Sequence, residues 1–349
     1  MVHQEKAQLV IVTPALADAN NGNWRTAKRW ADMLARAYRV RLTRQWDAAD
    51  LHAGADDLMI ALHARRSAAS VAAWRIARPQ APLLLALTGT DLYRDIDIDA
   101  DARRSLDLAD VLVVLNDLGP RRLDARQRAK CHVVLQSCPA RQPITNKPRR
   151  HMRALMVGHL RVEKDPATWF RAIAALAMRA DLRFDHIGDG LDAALAAEAR
   201  ALMAADPRYR WLGARSHGQT RRRIQAAHLL VHSSVMEGGA QAVIEAVRSG
   251  TPVLASHMDG NVGLLGEDYR GYFPVGDHDA LATLLERARD DEAMLPALVR
   301  QIERRAPLFA PQAESAAVHR LVRALLAGRD PDRAPDRVPV APAATGETP

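Results

Sequence analysis

The chain has 349 residues, enough for two domains at roughly 150 residues each, and with 48% hydrophobic and 26% charged side chains it excludes a disordered or fibrous class for most of its length. Aromatic residues make up only 4%, which argues against the stacking platforms that hold single-stranded nucleic acid; the net charge of +8, from 49 Lys and Arg mixed among 41 Asp and Glu, suits solubility or an anionic small substrate. Two cysteines, Cys131 and Cys138, cannot make a disulfide framework, no zinc-ligand spacing and no membrane-length apolar run occurs, and the start lacks a signal-peptide pattern, so a soluble cytoplasmic protein is expected.

Residues 9–13 form a short β-branched strand closed by Pro14, and beyond a loop holding Gly22 the stretch 24–37 has the period of an amphipathic helix. Strands follow at 40–43 and 58–62, a helix at 67–77, a strand at 83–87 ending in Thr88-Gly89-Thr90, and strands at 111–115 and 132–135. Residues 139–151 hold three prolines and four Lys or Arg without an apolar period, the composition of a linker. A second alternation then begins, with strands at 154–157, 182–187 and 229–232, an extended 210–212, and helices at 166–179, 191–204 and 219–226. A turn at Gly238 and Gly239, a helix through 247 and a strand at 252–255 complete it. Residues 280–326 read as helix broken near Pro307 and Pro311, and the Pro- and Arg-rich end as a disordered tail.

Such alternation predicts an α/β protein with parallel sheets covered on both faces. The expected division is a first Rossmann-like domain at 1–140, a linker at 141–151, a second at 152–306, a helix at 307–327 returning to the first domain, and a tail at 328–349. Two doubly wound halves enclose a cleft at the carboxyl ends of their strands, where ligands bind.

The chemistry concentrates in residues 233–256, SSVMEGGAQAVIEAVRSGTPVLAS. Two glycines after a strand let a ligand approach the backbone, and the helix start beyond them offers unpaired N–H groups that suit a diphosphate. Glu237 and Glu245 lie eight residues apart, and each carboxylate can accept two hydrogen bonds from a diol. The second element is VGHLRVEKDP, residues 157–166, directly after a strand.

Taken in order, these elements resemble retaining family 4 glycosyltransferases of the GT-B fold, whose carboxyl half carries Glu, seven residues, Glu, then Gly-x-Pro-Val, as at Glu237, Glu245 and Gly250 to Val253. The resemblance implies that Glu237 contacts the donor sugar and Glu245 the ribose of a nucleotide sugar. It further gives Gly238, Gly239 and Ala240 as backbone donors, with Gly22 and Gln241 on the donor side. An aromatic residue is usual where Gly239 stands, so the sugar subsite is more open here. In the Val-Gly-Arg-Leu pattern Lys164 matches the diphosphate lysine, while His159 takes the arginine position and Arg161 lies two residues on. A neutral imidazole offers one hydrogen bond where guanidinium offers a charged fork, so either Lys164 neutralises the diphosphate alone or Arg161 folds back. IGDGL, 187–191, and WLGARS, 211–216, are weaker signals; the second places Ala214 beside the base.

In the amino half NNGNWRTAKRWADML, 20–34, and LTGTDLYRDI, 87–96, resemble one subgroup, the selenosugar synthases of selenoneine biosynthesis. These join the sugar of a UDP-sugar, UDP-N-acetylglucosamine especially, to selenophosphate. The resemblance implies catalytic roles for Glu237, Lys164 and His159, and an acceptor site at Asn23, Arg25, Thr88, Gly89, Thr90 and Asp91. Two anions in one cleft need positive surroundings, for which Arg25, Lys28 and Arg29 are candidates. A deprotonated selenium needs little help from a base, which leaves Asp91 to order its loop. No cofactor and no metal is expected, because a helix start and a lysine serve the diphosphate and no Asp-x-Asp strand end is present. A hydroxyl acceptor on a lipid or polysaccharide, with membrane contact through helix 24–37, and a non-catalytic nucleotide-sugar binder are the alternatives. Nucleic acid is not an expected partner, and Arg221 to Arg223 read as a solvated face.

Overall fold

The structure, a computed structural model, describes residues 6–16 and 22–328. In the amino half β1 (Gln8–Val12), β2 (Arg39–Thr43), β3 (Leu58–Leu62), β4 (Leu83–Leu87), β5 (Val111–Val114) and β6 (Cys131–Val133) form one parallel sheet in the order β2-β1-β3-β4-β5-β6. Its inner strands β3, β4 and β5 are apolar on both sides because both faces are covered. Leu9, Ile11, Leu58 and Ile60 point to α1 (Gly22–Leu34), whereas Val10, Val12, Met59 and Ala61 point to α2 (Ala68–Ala77) and, beyond the short α3 (Ile96–Ile98), to α4 (Ala100–Leu108). The last helix of this half is the short α5 (Ala125–Arg128).

The carboxyl half repeats the plan with β7 (Met152–Val157), β8 (Leu182–Ile187), β9 (Tyr209–Trp211), β10 (Leu229–His232), β11 (Val253–Ser256) and β12 (Tyr272–Phe273), in the order β12-β11-β10-β7-β8-β9. Every pairing is parallel. Its helices are α6 (Pro166–Ala175), α7 (Ala193–Ala205), α8 (His217–Ala226), α9 (Gln241–Val247), α10 (Asp259–Leu265), α11 (His278–Asp290) and α12 (Met294–Arg305). The strand order reverses between β1 and β3 in the first sheet and between β7 and β10 in the second. Loops leaving the carboxyl ends of strands diverge at such a reversal and open a crevice for a ligand. The expected fold of two doubly wound parallel sheets is therefore the observed one.

The differences have local causes. Residues 91–108 are helical, starting with a wide π turn at Asp91–Asp95; their many Asp and Arg residues hide the apolar period. The helix after β7 stops at Ala175 rather than 179, because the Arg208 guanidinium takes the carbonyls of Ile173, Leu176 and Arg179. The helical stretch from 280 breaks also at 291–293, and α10 and β12 fill a region with no expected element.

α13 (Pro311–Leu326) leaves the second half and packs on α1, with Val318, Leu321 and Val322 in the first sheet's core. Glu314, 1% exposed, fastens it by accepting from Arg29 Nε and Trp30 Nε1 at 2.8 Å and from the Ser137 amide at 2.8 Å. The segment between the sheets runs without regular structure and is pinned to the second half by Arg141 N to Arg248 O at 2.8 Å. The expected tail from 329 onward, and Asn20 and Asn21 of the amino motif, lie outside the described residues. No helix among the described residues is long and apolar enough to cross a membrane.

Candidate active site

Two loops rise from the reversal in the second sheet, residues 158–164 after β7 and 233–240 after β10. The first lies so close to the loop after β8 that a Cβ on Gly188 would sit 1.8 Å from Gly158 O. His186, buried beneath, donates from Nε2 to that carbonyl at 3.0 Å while Nδ1 accepts from Tyr209 Oη at 3.1 Å. Burial pushes His186 down to about 4, so it stays neutral and keeps this tautomer. The loop then closes with a single turn, Val162–Lys164, and left-handed Asp165 (φ 45°) caps α6 through the Thr168 amide at 3.2 Å.

This geometry brings Lys164 onto Glu237, 73 residues away in sequence, as a direct ion pair. Ser234 Oγ donates to Glu237 Oε1 at 3.0 Å and His232 Nε2 lies 3.7 Å away. Burial raises the Glu237 pKa, but the Lys164 ammonium and then His232 outweigh it, so the carboxyl sits below its ordinary value and is ionised. His232 itself is pushed by burial to about 4.

His159 accepts the Asp189 amide on Nδ1 at 2.9 Å, which leaves Nε2 as its hydrogen-bearing nitrogen. Burial first, and then Arg161, lower its pKa; Lys164 and Arg25 of the amino half act in the same direction. Arg25, Arg161 and Lys164 thus act together on His159 from both sides of the cleft, with Asp189 acting against them. Arg161 stays near Glu163 at 3.9 Å, and its Nε is buried without a hydrogen-bond partner. Arg94 of the amino half reaches the same Glu163 at 3.5 Å.

Glu245, 2% exposed on α9, accepts from His217 Nε2 at 2.7 Å. Ala214 is exposed just past Gly213, whose φ of 65° turns the chain there. Gly22, exposed, and partly exposed Asn23 and Arg25 form the first turn of α1.

Other expected residues also have a packing task. The Cβ position of Gly238 is already filled by Thr88 O, at 2.4 Å, so glycine is needed there for backbone contact between the halves. Ala240 is buried in the second core and can offer only its backbone. Gln241 turns its Nε2 to Ser137 O at 3.4 Å, into the junction between the sheets. Lys28 pairs with Asp32 at 2.6 Å on the exposed face of α1, and Arg29 donates from Nε to Glu314 at 2.8 Å. The solvated Arg face at 221–223 is corrected too: Arg221 is 4% exposed and donates to Pro139 O at 2.8 Å, Arg223 lies 3.4 Å from buried Asp185, and only Arg222 is open.

On the facing rim, Asp91 is fully buried. Its Oδ1 accepts the Thr88 and Gly89 amides at 2.9 and 2.8 Å, and Oδ2 the Ala64 amide at 3.0 Å. Asp91 therefore shapes the turn 88–91 from below, leaving Thr88 and Thr90 partly exposed. Asn116, buried after β5, ties this rim to the other half through Gly238 O at 2.8 Å. Sequence reasoning missed His63, Asn116, His186, His217 and His232; a polar residue ending an apolar strand, as at His63 and His232, is the signal that was present. Among the described residues no group of three or more His, Cys, Asp and Glu could hold a metal ion.

Two doubly wound parallel sheets, set face to face with a lysine and a carboxylate at the second reversal, have the architecture of GT-B glycosyltransferases. Residues 140–306 match the family described as glycosyl transferases group 1, and the solved structures that the chain resembles share its fold. The chain is similar to sucrose-phosphate synthase from Thermosynechococcus elongatus, with a TM-score of 0.75 and 18% identity over 93% of this chain and 100% of that one. It is similar to Anabaena HepE in complex with UDP and glucose, with a TM-score of 0.72 and 14% identity over 91% and 100%. It also resembles the pneumococcal O-GlcNAc transferase GtfA in complex with UDP and GlcNAc, with a TM-score of 0.63 and 19% identity over 77% and 57%. No curated protein matches the chain.

Proposed function

We propose that the chain transfers the sugar of a UDP-sugar, UDP-N-acetylglucosamine by preference, to selenophosphate. A selenium lone pair attacks the anomeric carbon, the bond from that carbon to the diphosphate oxygen breaks, and UDP leaves with the electron pair. Lys164 and the start of α9 take up the charge that grows on the diphosphate, Glu237 holds the sugar, and Glu245 with Ala214 holds the nucleoside. Neighbours that bind UDP with glucose or GlcNAc support the donor class.

The observation that carries the acceptor is the state of the turn 88–91. Its one carboxylate, Asp91, is fully buried and accepts three backbone amides across its two oxygens, so it does not reach the cleft as a base would. A hydroxyl acceptor needs a proton removed as it attacks, whereas an already ionised selenophosphate does not. Arg25, opposite His159, supplies positive charge where two anions must meet.

Mass spectrometry of the products from UDP-N-acetylglucosamine offered selenophosphate, thiophosphate and phosphate separately tests this. A selenium isotope pattern in the sugar product, with UDP released in equal amount, is expected. Selenophosphate proving no better than phosphate, or transfer only to a sugar hydroxyl, overturns the acceptor assignment.

For the donor, Glu245→Ala should weaken UDP binding by about 1.5–3 kcal/mol, the worth of a hydrogen bond to a charged group. Calorimetry reads this directly. An unchanged UDP affinity would confine Glu245 to its bond with His217.

A further inference from the structure

The reversal point of the first sheet is occupied by a histidine in a backbone conformation that L side chains rarely adopt. His63 directly follows β3, has φ 74°, and is 2% exposed. Among the described residues only Asp165 shares this feature outside glycine, and Asp165 is accounted for by its cap on α6. Strain of this kind persists where the surroundings hold the side chain to a task.

The partners of His63 show what the task is. Nδ1 accepts the Arg66 amide at 3.4 Å, and Nε2 lies 3.1 Å from Thr90 Oγ1. Asp91 Oδ2 and Asp95 Oδ2 stand 3.9 and 3.8 Å off, but Asp91 is committed to backbone amides and Asp95 to Arg65 at 2.8 Å and Arg94 at 3.1 Å. Burial keeps the imidazole below its ordinary pKa despite those carboxylates, with Arg65 and Arg66 acting in the same direction. With Nδ1 accepting, the single ring proton sits on Nε2 and is donated to Thr90 Oγ1. That occupies a lone pair of the hydroxyl and leaves its own hydrogen to be donated elsewhere, from a partly exposed residue on the rim that meets the second half at Gly238.

We infer that His63 is a positioning residue that holds the Thr90 hydroxyl as a hydrogen-bond donor toward an anionic acceptor. This rests on the acceptor-side reading of the turn 88–91. The device explains why a buried histidine and a buried aspartate adjoin the rim without either serving as a base. Both are spent on shaping a surface that donates.

The test is a double-mutant cycle on the full chain with His63→Ala, Thr90→Val and the pair. Each single change should raise the KM for selenophosphate about tenfold, the worth of one hydrogen bond, with the KM for UDP-N-acetylglucosamine unchanged. The double variant should be no worse than Thr90→Val alone, because the two act in series. His63→Gln, whose amide nitrogen reaches the place of Nε2, should recover much of the loss. His63→Gly should melt at a higher temperature than His63→Ala, since glycine relieves the positive φ, yet share its acceptor defect. Multiplying effects, a donor KM that moves equally, or a glycine variant with normal acceptor KM would each overturn the inference.

Calorimetric titration of the same proteins with thiophosphate, in the presence of UDP, separates this inference from the proposed reaction. Equal anion affinity in wild type and His63→Ala overturns the role of His63 and leaves the transferase reading standing. A wild type without turnover on selenophosphate, but with thiophosphate binding weakened tenfold in both single variants, overturns the proposed acceptor and supports His63. A wild type that binds no thiophosphate overturns both.

Discussion

Replacing Lys164 by alanine is expected to lower kcat about a thousandfold, the effect of removing one preorganised donor from a site where charge develops. The ammonium is worth more against the leaving diphosphate than against the bound donor, so kcat falls further than donor affinity. A second effect follows from the ion pair with Glu237, whose partners expose only 16% and 13% of their side chains. Taking away one member leaves an uncompensated buried charge and costs about 3 kcal/mol of stability. The pH dependence should also change sign. In the wild type the Glu237 pKa is lowered on folding, so its contribution is present above the unfolded carboxylate pKa and lost as pH falls through the folded one. Without Lys164 the cause that remains largest is burial, which raises the pKa; the carboxyl then prefers to be neutral, and stability is lost as pH rises through the raised value. Thermal melts at pH 5 and pH 7.5 should show the variant's deficit growing with pH. Adding Glu237→Gln should restore the melting temperature and leave turnover low. A variant in which only KM moved would make Lys164 a uniform binder of the donor.

The parallel sheets were legible because strands buried on both faces read as short apolar runs, as at residues 58–62 and 83–87, where observed and expected bounds coincide. The helices at 96–108 were not legible, since Asp95, Ser105 and their charged neighbours are buried or paired by partners remote in sequence. The site shows the same division. Glu237, Glu245 and Lys164 stand out through the family resemblance, but what each touches depends on the strand order. Glu237 meets Lys164 because β7 and β10 are neighbours, a pairing between residues 73 apart that no local pattern encodes. A charge run misled for a related reason: Arg221 reads as solvated until its burial against the Pro139 carbonyl is known. The glycine pair holds a second task that the sequence does not show. Glycine signals close approach, and the sequence does not say that at Gly238 the approaching group is the protein's own backbone.

That contact makes Gly238→Ala the sharpest probe of how the halves cooperate. The added Cβ would lie 2.4 Å from Thr88 O and 2.8 Å from Gly89 N, both backbone atoms. Neither can shift cheaply, because the amides of Thr88 and Gly89 are held by the buried Asp91 carboxylate and Gly238 O by Asn116. The strain must part the two halves or displace the loop 233–240, and with it Glu237. Misplacing a reacting group by about 1 Å can cost a hundredfold in rate, and kcat should fall by about that factor. UDP affinity should fall as well, because the displaced loop carries the Gly238 to Ala240 amides and leads into the start of α9, where the diphosphate is held, while the ribose contact at Glu245 remains. Gly239→Ala is the comparison: its Cβ would meet the end of the Gln136 side chain at 2.7 Å and Leu115 Cβ at 3.1 Å. The Gln136 terminus, held through Nε2 to Thr26 Oγ1 at 2.6 Å, is a side chain and gives more readily than backbone, so this variant should retain more turnover than Gly238→Ala. Steady-state kinetics, UDP calorimetry and small-angle scattering on both variants read the three quantities, with a larger radius of gyration expected only for Gly238→Ala. Wild-type kcat in that variant would mean that turnover proceeds with the rim at 88–91 and the loop at 233–240 apart, and would move the acceptor site away from Thr90.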